Sequence, residues 1–317
     1  MNLKKSSLVI TVLALAAISA QPLMAKDMTM MTGPQGGSWI PLGGAIKGLF
    51  EAAIPGIKIT VSPGAGVANV RGLDMGKAQI AFGNSSTSVE GILGQKPSFT
   101  KKVTNACQVA NMYPQYFQVV ASKSANIRSV ADFKGKVLVT QPKGNTSEAV
   151  ASLMLAANGM SYKSFKKTNF LAGYTDAVSM MKDGHADVFM LGTTAPASSV
   201  MDLASARDIE LVPVDDKTMA ALKKINGGFN RLIIKAGTYP KQEKDVPVVA
   251  YSTHLMVACD LPEDMVYTMT KTMVTHVDDL ALVLKAIKGA TAKDMAMDIG
   301  VPFHKGALKY YKEIGAL

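Results

Sequence analysis

Short apolar runs separated by turn residues recur from residue 28 onward, and stretches with a single apolar face alternate with them. Met28–Thr32, Ile57–Ser62, Gln79–Gly83, Thr104–Met112, Phe117–Ser122, Val137–Gln141, Asp187–Gly192 and Leu211–Val214 read as strands. Between the first two, Leu42, Ile46, Leu49, Phe50 and Ala53 share one face of a helix, with Pro41 in its first turn and Pro55-Gly56 at its end. Val67, Val70 and Leu73 begin a second helix that stops at Gly76. Val150, Leu153, Met154 and Ala157 form a third, and Val178 and Met181 mark a fourth that ends at Gly184. Strand–helix alternation predicts parallel sheets covered by helices on both faces.

The alternation occurs twice, over about 27–111 and about 117–214, and a further strand (Val248–Ala258) and a long helix follow. That helix is predicted to open at Asp260-Leu261-Pro262-Glu263, with a cap and a first-turn proline. A chain that leaves one unit, builds a second and returns crosses between them twice. The expected architecture is therefore α/β, two lobes facing each other across a cleft, with a hinge of two crossing segments. Lobe 1 is expected at 26–112 plus about 245–317, and lobe 2 at about 113–244.

The first residues follow another pattern. Lys4 and Lys5 precede an apolar run from Leu8 to Ala20, Pro22 breaks it, and small Ala25 stands before Lys26. This is the order of a secretory signal peptide over 1–25, cut after Ala25, with Ala20 as the alternative site and an uncleaved anchor as the alternative reading. The run is shorter than the roughly 20 residues that span a bilayer. Export places the mature chain in the periplasm, where Cys107 and Cys259 are free to pair. Their apolar surroundings suit a buried free thiol equally well, and sequence leaves the two alternatives open.

Composition excludes several classes. The 317 residues are 48% hydrophobic and only 18% charged, too apolar for a disordered chain. Two cysteines exclude a cysteine-rich zinc module. The 34 Lys+Arg against 24 Asp+Glu give a net charge of +10, which alone would suggest nucleic acid or a membrane surface. Lys4 and Lys5 leave with the signal peptide, however. Pairs such as Lys101-Lys102, Lys166-Lys167 and Lys223-Lys224 lie on predicted surfaces without a nucleic-acid motif. No nucleic acid is expected; the charge agrees at most with an anionic solute.

Candidate chemistry collects at strand–helix junctions. Thr32-Gly33-Pro34-Gln35-Gly36-Gly37-Ser38-Trp39 and, in the second unit, Gln141-Pro142-Lys143-Gly144-Asn145-Thr146-Ser147-Glu148 each carry a strand through a glycine- and hydroxyl-rich turn into a helix. The first has neither dinucleotide nor P-loop spacing. Each alone is a tight turn or a capping box; together, two helix starts from opposite lobes would hold one small anion with backbone N–H groups. Other loops at strand ends (63–69, 83–88, 112–116, 192–196) are rich in hydroxyls and amides and poor in acids. Neutral donors suit a carboxylate without burying a second fixed charge. Catalysis finds little support: His185, His254, His276 and His304 are scattered, no Gly-x-Ser-x-Gly elbow exists, and Asp278-Asp279 reads as a solvated face. Met28, Met30 and Met31 read as a buried strand rather than a copper site. No cofactor and no metal are expected.

Several motifs in order resemble the TAXI class of TRAP-transporter solute receptors: TGPQGGSWIPLGGAI at 32–46, NIRSVADFKGK at 126–136, AGTYP at 236–240, DVP at 245–247, LPEDMVY at 261–267 and PFHKGALKYYKEIG at 302–315. The resemblance implies a Venus-flytrap periplasmic-binding-protein fold, type II-like. It also implies capture of a dicarboxylate, 2-oxo acid or glutamate-like compound, and delivery to the membrane permease subunits of a tripartite transporter. By position it carries the pocket to Gly37, Ser38, Trp39, Asn69, Asn84, Ser85, Tyr113 and Gln115, and in the second lobe to Asn145, Thr146 and Thr193. The chain departs from the family at Pro34-Gln35 and at Gly144-Asn145-Thr146-Ser147-Glu148, both in loops that would meet the ligand. No Arg stands at a pocket position, so backbone and hydroxyl donors are expected to hold the carboxylate. A receptor for an ABC importer, an exported enzyme on the same scaffold and a stand-alone sensor or adhesion module are the alternatives.

Overall fold

The computed structural model describes residues 26–95, 98–226 and 228–317; the expected signal peptide lies outside them. The first unit runs β1 (Lys26–Met31), α1 (Trp39–Ala53), β2 (Ile57–Ser62), α2 (Gly66–Asp74), β3 (Ile80–Asn84) and α3 (Ser85–Leu93). The chain then crosses on β4 (Cys107–Ser122). The second unit is β5 (Val137–Thr140), α4 (Thr146–Ala157), β6 (Lys167–Phe170), α5 (Tyr174–Lys182), β7 (Val188–Thr193), α6 (Ser198–Ala206), β8 (Ile209–Leu211), α7 (Asp216–Ile225) and β9 (Asn230–Ile234). The return is β10 (Val246–Val257), followed by α8 (Glu263–Thr275), α9 (Val277–Val283), α10 (Ala292–Met295) and α11 (Lys305–Glu313).

The strands form one mixed sheet in the order β2-β1-β3-β10-β4-β7-β5-β6. β1 pairs parallel with β2 and β3, and β5 parallel with β6 and β7, as the alternation predicts. The crossing strands are the exception, since β10 runs antiparallel to both β3 and β4. Apolar burial divides along these two strands. One core gathers Met30, Ile46, Phe50 and Phe82 with Leu255, Met269 and Tyr311, ending at Tyr113 and resuming at Leu255. Two others, one around Phe117, Met154 and Tyr251 and one around Val120, Phe189 and Val248, contain the buried positions in between. Two lobes with separate cores thus share β4 and β10. Met28 and Met30 are buried within β1, the core role expected of them.

Four local expectations are corrected. Residues 112–116 are not a loop: β4 runs unbroken through Pro114, opposite Ser252. Pro114 has no N–H to give the ladder; the Ser252 N–H opposite it donates to Ser85 Oγ at 3.0 Å. The serine-rich segment after β3 is the first turn of α3, its hydroxyl residues Ser85, Ser86, Thr87 and Ser88 all buried. α8 begins at Glu263 with Pro262 at its N-cap and no side-chain cap, so Asp260 plays no capping part. The long helix is also broken at His276 into α8 and α9.

Cys107 and Cys259 are joined by a disulfide, with Cα atoms 5.1 Å apart. The bond ties the start of β4 to the residues just after β10, at the first lobe's end of both crossing strands. A loop with a sequence separation of 152, holding the whole second lobe, is closed by it.

Candidate functional site

Helices start at the carboxyl ends of the parallel strands of both lobes, the usual ligand edge of an open α/β sheet. The starts of α1, α2 and α4 and the Asn84 cap position of α3 meet around a small cavity between the lobes. About 20 Å³ of free space remains there, room for one or two water-sized groups.

Seven of the sequence-predicted residues line this cavity: Gly37, Ser38 and Trp39 at the start of α1, Asn84, Gln115 on β4, Asn145 at the cap of α4, and Thr193 at the end of β7. Four do not. Asn69 is spent inside its own lobe, where its Oδ1 accepts the Ala65 N–H at 3.0 Å and its Nδ2 donates to the carbonyls of Thr32 (2.7 Å) and Phe82 (2.9 Å). It ties three strand-end loops together, which is why the sequence keeps an amide there. Ser85 Oγ accepts from Ser252 N–H. Tyr113 is buried behind Ser38, their hydroxyls 3.3 Å apart. Thr146 Oγ1 meets Thr87 Oγ1 of the other lobe at 2.8 Å.

Other lining residues escaped the sequence reading. Pro34, Ala65, Gly66, Ser147 and Gly192 lie in or beside loops already singled out, but Tyr174 does not. It opens α5 after β6, a strand whose half-exposed residues Lys167–Phe170 carry no apolar signal. The only hint was a glycine, Gly173, ahead of a helical pattern. The Tyr174 hydroxyl donates to the Gly192 carbonyl at 2.8 Å, and Ser147 Oγ accepts the Gly192 N–H at 2.7 Å. Glycine is required at 192 because a Cβ would collide with the Tyr251 hydroxyl.

Among the described residues the lining holds no lysine, arginine, histidine or carboxylate. Its one titratable side chain, the Tyr174 phenol, is pushed up to about 12 by burial and stays neutral. Trp39 forms an apolar wall, stacked on Phe82 with centroids 5.4 Å apart. Gln115 Nε2 donates to Thr253 Oγ1 at 2.7 Å, which fixes its amide. Asn84 is buried, its Oδ1 has no partner, and its side chain does not cap α3 although asparagine is among the best N-caps.

Around this polar chamber the lobes cap one another's helices. The Val67 and Ala68 N–H groups at the start of α2 donate to the Gly144 carbonyl of the second lobe (3.1 and 3.3 Å). In return the Tyr174 N–H at the start of α5 donates to the Gln35 carbonyl of the first (2.8 Å). Helix starts have N–H groups without partners in their own helix, so each lobe satisfies the other's. Gly66 permits this approach, since a methyl there would strike Thr146 Oγ1. At the outer edge, Asn226 at the end of α7 donates to the Ser86 carbonyl (3.1 Å) and to Glu90 Oε1 (3.2 Å). Burial pushes the Glu90 carboxyl upward, and the Asn226 contact opposes that rise.

The NMT1-like family model matches residues 30–315. Among solved structures, MatC of Rhodopseudomonas palustris with bound malate aligns at a TM-score of 0.55 and 13% identity, over 91% of this chain and 96% of that one. A second R. palustris protein, solved with adipate, aligns at 0.53 and 15% identity over 92% and 93%. A putative L-cystine ABC transporter protein from Listeria monocytogenes aligns at 0.53 and 16% identity over 84% and 97%. At such identities the likeness is one of fold, the mixed α/β architecture of periplasmic binding proteins.

Proposed function

The chain belongs to the NMT1-like family, and from that premise we propose that it is an exported solute receptor that takes a small carboxylate between its lobes and presents it to a membrane permease. The observation that carries this reading is the neutral, hydrogen-bonding chamber built from the helix starts of both lobes and closed by reciprocal backbone caps. Such a chamber favours an anion through the positive ends of its helices and the uncapped start of α1. Contacts to both lobes let the ligand bias closure, the state a permease can read. The bound malate and adipate of two structural neighbours support a carboxylate. A lining without carboxylate, imidazole, thiol or amine supports binding without a chemical step.

We place the swivel where the cores part, at 113–117 on β4 and 251–255 on β10. Export would follow cleavage after Ala25. The ordered motifs favour a tripartite permease of the TRAP, TAXI type; the ABC transporter named for the Listeria neighbour keeps an ABC importer as the second reading. Calorimetry on the ligand-free mature chain against dicarboxylates, 2-oxo acids, hydroxy acids and acidic amino acids tests the first part. A saturable response from at least one acid is expected, and silence across the panel overturns it. Uptake into proteoliposomes holding the permease tests the second, with a sodium gradient expected to drive it and ATP expected to be idle.

A further inference from the structure

Resting on the receptor reading above, we propose that the solute is a short α-hydroxy monocarboxylate, of two or three carbons, whose carboxylate meets the start of α1 and whose hydroxyl donates to Asn84.

The chamber supplies for one carboxylate and not for two. Ser38 does not cap α1, and Gly37, Ser38 and Trp39 at its start line the cavity, whereas the first turn of α2 is spent on the Gly144 carbonyl and the Ser147 N–H of α4 on Asn145 Oδ1; one uncapped helix start is left for an anion. A second carboxylate would find no lysine, arginine or histidine in the lining. Burying a charge without a partner is among the costliest events in a protein interior.

Two amide oxygens then ask for a donor. Asn84 is 4% exposed and its Oδ1 has no protein partner. Gln115 has committed its nitrogen to Thr253 Oγ1, so its Oε1 is what it can offer the cavity. A plain fatty acid, a 2-oxo acid and a dicarboxylate bring only acceptors to these oxygens. An ammonium would donate, but it carries a full charge and no carboxylate lines the site to balance it. A hydroxyl donates without charge. It can also accept from Ser38, Ser147 or Thr193.

Size points the same way. With the caps at Gly144 and Gln35 formed, about 20 Å³ is free, less than even a two-carbon acid fills. Each added carbon must be accommodated by parting the lobes and loosening those bonds. The shortest acids disturb closure least.

The test is calorimetry on the mature chain, unfolded and refolded under non-reducing conditions to strip any ligand. The probes are glycolate, both enantiomers of lactate, acetate, propionate, pyruvate, succinate and glutamate. Glycolate or lactate is expected to bind about tenfold or more tightly than its deoxy counterpart of equal carbon number, the value of one well-made hydrogen bond to a buried acceptor, and more tightly than pyruvate or succinate. In Asn84→Leu the hydroxy-to-deoxy ratio should collapse toward one. Should that variant not fold, the wild-type panel decides alone. Propionate, pyruvate or succinate binding as tightly as lactate overturns the inference and leaves the carboxylate receptor standing. No response to any acid overturns both.

Discussion

The Val67 N–H donates to the Gly144 carbonyl across the cleft at 3.1 Å, so the first turn of a helix in one lobe is capped by a loop of the other. The bond is possible only because residue 66 has no side chain: a methyl there would occupy the place of Thr146 Oγ1. A side chain at residue 66 would therefore meet the other lobe first.

Gly66→Ala should therefore yield a folded protein that closes poorly. Its far-ultraviolet circular dichroism should match wild type, while ligand affinity falls by about tenfold or more, because binding is taxed by the loss of the closed population. Small-angle scattering with saturating ligand should show a larger radius of gyration than wild type. Adding Thr146→Ala removes the struck oxygen and should restore part of the affinity. Unchanged affinity in Gly66→Ala would remove the interlobe caps from the binding mechanism.

Asn226 offers a separate test of the same equilibrium, because it touches Ser86 and Glu90 and does not line the cavity. Two hydrogen bonds of about 0.5–1.5 kcal/mol each hold the lobes together there. Asn226→Ala should weaken ligand binding roughly threefold to tenfold, mostly through faster dissociation measured by stopped flow. An unaltered dissociation rate would mean that this contact forms equally in open and closed receptor.

The strand–helix rhythm, the two lobes and most of the polar junctions were legible because each follows from local pattern: apolar runs for buried strands, one-faced stretches for helices, glycine and hydroxyls between them. What escaped depends on contacts distant in sequence. Pro114 reads as a strand breaker, yet β4 passes through it opposite Ser252, whose N–H is taken by Ser85 from another element. Ser85 to Ser88 read as a loop, since hydroxyls favour turns, but burial between the lobes makes them a helical turn. Asn69 fits a ligand-binding pattern and instead ties strand ends together. Tyr174 reaches the cavity from a helix whose preceding strand is half exposed and carries no apolar signal.

The Cys107–Cys259 disulfide closes a loop with a sequence separation of 152, long enough for a loop-closure contribution of about 5 kcal/mol in the chain-entropy description, with about 2–5 kcal/mol usual on removal. The double replacement Cys107→Ala with Cys259→Ala should lower Tm by roughly 3–8 °C. Affinity should stay within about twofold of wild type, since the bond lies at the far end of the crossing strands and neither cysteine lines the cavity. A Tm within a degree of wild type would show that β4 and β10 hold the first lobe together without it.

His254 makes the last prediction, on pH. It sits on β10 where the cores part, fully buried, with Nε2 2.8 Å from Ser88 Oγ. Burial pushes its pKa down to about 3, against about 6.5 for an unfolded chain. A group whose folded value is depressed lends its full stability above the unfolded value and loses it as pH falls toward the folded one. The imidazole should therefore cost the fold increasingly between pH 6.5 and 3, by at most about 5 kcal/mol. Asp132, Asp215 and Asp294, held low by hydrogen bonds, lose their contributions only below their ordinary value of 3.8. Glu90 and Glu148, pushed up by burial, act in the opposite sense and favour the fold as pH falls. Comparing wild type with His254→Gln cancels all five carboxylates. Between pH 6.5 and 4.5 the Tm of wild type should fall more steeply than that of the variant, whose amide does not titrate. Parallel slopes over that range would mean that the imidazole takes up its proton equally in folded and unfolded chains, contrary to its burial.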